Sequence, residues 1–161
     1  MLVKPALARQ YDASLRMLKD CLEKCPDDLW LAGEERPLWK ITYHTLFYTH
    51  LYMMQDVTQF KVWVNHREGA EDLHTKTDLA PYKTTDLIAY LEDLRLLIPA
   101  QLESLDLESD QSGFPWYNMP KFDHQLVNLR HIMDHIGQFS ELLMQRGIDT
   151  DWYGGSLPQP T

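Results

Sequence analysis

Hydrophobic positions recur at three- and four-residue steps through most of this chain, and that spacing predicts helices. Leu7, Tyr11, Leu15, Leu18 and Leu22 mark a first helix over about Pro5 to Cys25, which Pro26 stops. Pro26-Asp27-Asp28 is turn chemistry, and Leu29 to Arg36 reads as a connector. Pro37 suits the first turn of a second helix from about Leu38 to Thr58. On it Ile41, Phe47, Tyr48, Leu51 and Tyr52 share one broad face with His44 at its centre. Gln59 to Lys83 is mixed and poorly periodic, and a connection that long in a small domain is functional or a crossover. Thr84 or Thr85 is expected to cap a third helix, with Asp86 early in its first turn. Leu87, Ile88, Leu91, Leu94, Leu97, Ile98 and Leu102 give its stripe, and Pro99 predicts a kink or an early end. Glu108 to Pro120 is a loop rich in aromatics, and a fourth helix runs from Asp123 to Arg146 with Gly147 as its stop. No strand pattern or internal repeat is present. The expectation is all-α: a four-helix bundle with a long crossover between helices two and three, one domain over 1–161 with a peripheral tail at about 151–161.

The fourth helix carries two adjacent stripes. Leu126, Leu129, Ile132, Met133, Ile136 and Leu143 form an apolar arc. Beside it lie His124, Asn128, His131, His135 and Gln138, all within about 80° at about 100° per residue. Arg130, Asp134 and Glu141 fall on the far, solvated side. His131 and His135 are one turn apart and project the same way. Alone, the stripe is readable as a polar helix edge, and His44 as a core histidine bonded to a tyrosine or a carbonyl. Taken together, a shared divalent cation satisfies all three rings at once, and neutral imidazole is the commonest protein ligand for zinc and suits nickel, copper and iron. His50 sits at the edge of its helix face, better placed for the surface. His124 is open as a fourth ligand, a substrate contact or a first-turn residue without a special task, the last being favoured. His66 and His74 are given no role. No HExxH helix, Gly-rich phosphate loop, or acid-His-Ser or Cys-His arrangement is readable.

Charge narrows the partners. Twenty-four acids against 15 bases leave a net charge of -9, with no basic cluster, so nucleic acid is not an expected partner. No apolar run approaches the roughly 20 residues of a membrane span, and the N-terminus lacks the apolar core of a secretory signal, so a cytoplasmic location is expected. The 161 residues suffice for one domain with a real core. Cys21 and Cys25 are the only cysteines, which excludes a Cys-only structural zinc site and fits two reduced thiols.

Two segments, PLWKITYHTLFYTHLYM and SGFPWYNMPKFDHQLVNLRHIMDHIGQFSELL, together with the order of elements, resemble the DinB-like superfamily, which includes the YfiT-type proteins. The resemblance covers most of the chain. It implies a four-helix bundle with a metal held by one histidine of helix two and both of the HxxxH motif, here His44, His131 and His135. Characterised members of the group include thiol-dependent S-transferases and isomerases that use bacillithiol, mycothiol or glutathione-like cofactors, and homodimers are common. The expected function is a metal-dependent enzyme, a thiol-dependent S-transferase or related hydrolase, with zinc or nickel and a low-molecular-weight thiol as cofactors. The partners are then a small-molecule substrate and a second copy of the chain. A non-catalytic metal-binding or stress-response module is the alternative, and a metal-free helical dimer the third reading. Asn128 and Gln138 are candidates to orient ligands or substrate. Trp116, Tyr117 and Tyr48 are candidates to wall a pocket, with ordinary packing favoured for Tyr48.

Overall fold

The computed structural model describes residues 3–33, 36–74 and 78–155. The end of the expected tail, 156–161, lies outside them, as do short pieces of the first connector and the crossover. The described residues form five helices and no strand: α1 (Val3–Lys24), α2 (Asp27–Trp30), α3 (Leu38–Tyr52), α4 (Thr84–Ser104) and α5 (Lys121–Met144). α1 packs on α4 and α5, and α3 packs on α5 and α4. No described helix is long and apolar enough to cross a membrane.

α1 follows its stripe: Leu7, Tyr11, Leu15, Leu18 and Leu22 are all buried. The buried Tyr11 hydroxyl donates to the Gln125 side-chain oxygen at 2.9 Å, so this contact with α5 is polar. Pro26 ends the helix, and the chain makes the single turn α2, whose Trp30 stacks on Phe139 and donates its indole N–H to the Tyr82 carbonyl at 2.9 Å. Cys21 and Cys25 are free thiols; burial raises both pKa values, that of Cys25 to about 12, so neither is a ready thiolate.

α3 stops at Tyr52, not at Thr58. The Met54 and Gln55 carbonyls, which a longer helix would use internally, instead accept from the Lys121 ammonium at 2.5 and 3.1 Å. Beyond them Asp56 caps a 3-10 turn over Val57–Gln59, its carboxylate accepting from the Thr58 N–H at 2.9 Å. Gly113 lies against this corner at φ +83, where a Cβ would sit 2.0 Å from the Gln55 carbonyl oxygen, so only glycine fits.

α4 is capped one residue earlier than expected. Lys83 takes the N-cap position, its N–H donating to the Asp86 carboxylate at 3.3 Å, and Thr84 and Thr85 lie inside the first turn. The helix runs through Pro99 to Ser104, because Ile98 and Leu102 on either side are buried and hold the last turns to the core. α5 begins at Lys121 and ends at Met144; Gly147, at φ +72, lets the Ile148 N–H reach back to the Leu143 carbonyl at 3.0 Å, a Schellman closure.

Ile132, Ile136 and Leu143 of the expected apolar arc are buried, but the rest of the buried face of α5 differs from the expected one. Leu126 is exposed, and Leu129 and Met133 are only half-buried. Lys121, His124, Gln125 and Asn128 are instead wholly buried. Each of the Gln125 and Asn128 amides donates to a carbonyl of α3, those of Tyr52 and Thr49 at 2.8 and 3.3 Å. Gln125 and the Asn128 amide thus face inward with their hydrogen bonds matched by α3 backbone acceptors and by Tyr11.

The crossover has no helix among its described residues, yet it buries Trp63, Ala70, Leu73 and Tyr82. Trp63 stacks on Tyr90 of α4 with centroids 4.5 Å apart, and Tyr82 on Tyr43 of α3 at 4.8 Å. The Tyr43 hydroxyl meets His66 Nδ1 at 2.6 Å, which gives that histidine a structural partner. These contacts lay the segment across α3 beside His44.

Candidate metal centre

α3 and α5 pack along their length, and this contact brings together the rings of His44, His131 and His135. Their Nε2 atoms converge: His44 to His131 at 3.0 Å, and His135 to His131 at 3.1 Å. One ligand nitrogen from each lies within 4.8 Å of the other two. His44 and His131 are half-buried and His135 is buried.

The hydrogen bonds fix which ring atoms carry protons. His44 Nδ1 lies 2.6 Å from the Glu71 backbone carbonyl, which can only accept, so Nδ1 carries the proton. His135 Nδ1 faces the Gln138 side-chain oxygen at 3.3 Å, and the Gln138 amide is oriented by donating to Asp134 at 2.9 Å. That interaction likewise puts the His135 proton on Nδ1. Two imidazoles therefore aim Nε2 lone pairs at His131 Nε2. A proton there serves only one of them well, so the cluster is short of positive charge at its centre.

All three rings are held neutral. Burial lowers the His44 pKa to about 4, opposed in part by its Glu71 carbonyl bond. Burial, then the neighbouring His135 and His44, lowers His131 to about 3. His135 is also lowered by burial, with Gln138 pulling the other way. Neutral imidazole is the form that binds a metal. Zinc–nitrogen bonds of about 2.0–2.1 Å in a tetrahedron set ligand nitrogens roughly 3.4 Å apart, a spacing that the two contacts to His131 reach by widening a few tenths of an ångström. The donor set fits a borderline-soft divalent cation, with positions left open.

A cleft of about 500 Å³ opens beside the cluster, bounded by His44 and His131 on one side and by Tyr48, Tyr52, Trp116 and Tyr117 among the others. Tyr48 stands with its ring centroid 4.6 Å from that of His44, so it walls the cleft as well as packing. Trp116 is 54% exposed at the rim. Glu71 lines the same cleft, and its Oε2 is buried without a hydrogen-bond partner.

No family model matches the chain. Comparison with curated proteins and with solved structures likewise returns no match. The site rests on its own geometry.

The other sequence candidates fall elsewhere. Gln138 is placed as expected, against His135. Asn128 ties α5 to the Thr49 carbonyl instead of to a histidine, and its own oxygen has no partner. His50 is half-buried, not a surface residue: its Nδ1 meets the Tyr90 hydroxyl at 3.0 Å and its ring packs on Phe60. His124 lies in the first turn of α5, fully buried among Tyr52, Phe114 and Tyr117, with both ring nitrogens unpartnered. Neither belongs to the histidine cluster. Sequence reasoning missed Glu71, which supplies a carbonyl to His44 and a carboxyl group to the cleft; the length of the crossover was its only signal.

Proposed function

We propose that this chain is a metal-dependent enzyme of the DinB-like kind, using zinc or nickel on His44, His131 and His135 in S-transfer from a low-molecular-weight thiol or in a related hydrolysis. The observation that carries it is the convergence of two tautomer-fixed Nε2 lone pairs on a third imidazole beside an open cleft. His44, His131 and His135 would hold a divalent ion, which would supply Lewis acidity there and lower the pKa of a bound thiol or water. The chain's own part is orientation. Glu71 and Gln138 fix the His44 and His135 rings, and the aromatic walls exclude water from the reacting group.

The fold supports the family reading in outline. The contacts α1 with α4, α4 with α3, α3 with α5 and α5 with α1 close a ring of four long helices, as in a four-helix bundle whose crossover joins α3 to α4. The open cleft favours an enzyme over a purely structural metal module, because structural zinc sites are closed by four protein ligands.

Metal analysis of protein purified without a histidine tag tests the first step. About one equivalent of metal is expected for the wild type and none for His131→Ala. Equal metal in both would defeat the assignment. Screening the metal-loaded protein with small thiols and electrophiles then tests turnover. A steep loss of melting temperature on chelation, with no turnover on any pair, would favour the non-catalytic module.

A further inference from the structure

The cleft beside the histidines carries more than apolar walls. Among the described residues, its ionisable lining outside the two histidines and the tyrosines is one carboxylic acid, Glu71, and no lysine or arginine. Glu71 Oε2 is buried from solvent without a hydrogen-bond partner, an arrangement that costs free energy, and a small turn of the carboxyl group toward the cleft would let a ligand's donor satisfy it. Facing the same space are the rings of Tyr48, Tyr52, Trp116 and Tyr117. Tyr52 stands edge-on to Tyr117 at 5.6 Å and tilted to Tyr48 at 5.5 Å, so the rings form a continuous wall and not isolated contacts. Aromatic faces are negative and attract ammonium groups, and a desolvated carboxylate accepts their N–H protons.

From this juxtaposition we infer that the cleft is a recognition site for the ammonium group of a small organic amine, seated between Glu71 and the aromatic wall. The inference rests on the metal reading only for the ligand's other end. With an ion at the histidines, that end carries the thiol or electrophile, which makes the substrate class small amine-bearing molecules. The ammonium end depends on Glu71 and the rings alone.

Three probes of one shape separate the terms: benzylamine (an ammonium at neutral pH), benzyl alcohol and benzoate. Binding is measured by calorimetry and by tryptophan fluorescence on the full chain, metal-free and zinc-loaded. In the metal-free protein benzylamine is expected to bind about ten-fold or more tighter than benzyl alcohol, with benzoate weakest. Glu71→Gln keeps the backbone carbonyl that orients His44 and is expected to bring benzylamine to within about two-fold of benzyl alcohol. Trp116→Leu is expected to weaken both benzylamine and benzyl alcohol. Benzylamine binding no tighter than benzyl alcohol in the wild type, or a preference that survives Glu71→Gln, overturns the inference. Should Glu71→Gln fail to fold, the wild-type probe series decides alone. A protein that takes up no zinc yet prefers benzylamine defeats the metal reading and leaves this one standing.

Discussion

Burial of the three histidines sets how metal affinity should respond to acid. Protons compete with a metal for each imidazole, so affinity falls by a factor of one plus the protonated-to-neutral ratio at every ligand. Three independent imidazoles at the ordinary pKa of about 6.5 would be protonated about ten to one at about pH 5.5, and affinity would fall roughly 1000-fold from its value near pH 7.5. Here burial disfavours the charged ring, lowering His44 to about 4 and His131 to about 3. Those two ligands then lose almost nothing at about pH 5.5. His135 is lowered as well, so its own factor is smaller than the roughly ten-fold of an unperturbed ring. The expected loss between about pH 7.5 and 5.5 is therefore under about ten-fold. Competition titration of zinc against a chromophoric chelator, with the chelator's own proton dependence calibrated, measures it directly. A fall near 1000-fold would mean that the rings are solvated and open in solution, and the convergence of their Nε2 atoms would lose its meaning.

Lys121→Met removes an ammonium that donates to the Met54, Gln55 and Ser112 carbonyls and sits 4.9 Å from the Phe114 ring centroid. Relief of its buried charge offsets part of the loss, and a net cost of about 2–4 kcal/mol is expected in urea unfolding; an unchanged midpoint would show the contacts to be dispensable. His124 is buried without partners and its pKa is lowered to about 4, first by burial and then by Lys121. Because its folded pKa lies below the unfolded value of about 6.5, its contribution to stability is complete above that value and declines as pH falls toward about 4. His124→Phe should therefore flatten the acid side of the stability profile by about 1–3 kcal/mol, and an unaltered slope in urea midpoints between about pH 7 and 5 would contradict its burial as a neutral ring. Gln138→Leu removes the acceptor at His135 Nδ1 and is expected to weaken zinc binding about 10-fold or more with little effect on folding; wild-type affinity would remove Gln138 from the site.

The helices were legible because their causes are local. The α1 stripe, the Pro26 stop and the Gly147 closure each need only neighbouring residues. The end of α3 was not, because Lys121 lies 67 and 66 residues from the two carbonyls that it captures. The rotation of α5 was misread for a related reason. A count of apolar side chains favours the Leu126 arc and is right for Ile132, Ile136 and Leu143, whereas nearer the start of α5 hydrogen bonds bring Gln125 and Asn128 inward. Gln125 and Asn128 find α3 carbonyls, and Tyr11 finds Gln125, so polar residues are fully buried while Leu126 stays exposed. The pairing of His131 with His135 is untouched by this, because their one-turn spacing on α5 does not depend on which side of the stripe is innermost, and His44 meets them from α3.

Glu71 shows why part of the site was invisible. Its carbonyl sets the His44 tautomer, and every residue type carries a carbonyl, so selection for that contact leaves no mark in the sequence. What it constrains is the path of the crossover, pinned by Trp63 on Tyr90, Tyr82 on Tyr43 and His66 on the Tyr43 hydroxyl. The poor periodicity of the segment follows, since it is held by single aromatic anchors and not by a repeating face. The side chain of Glu71 is a separate matter, because the backbone contact does not require a carboxyl group. Its placement in the cleft is thus free to serve a ligand, and Glu71→Gln divides the two roles: His44 orientation and metal affinity should persist while selection for an ammonium is lost. Loss of both together would mean that the carboxyl group holds the crossover in place, and the cleft would then have no charged recognition element of its own.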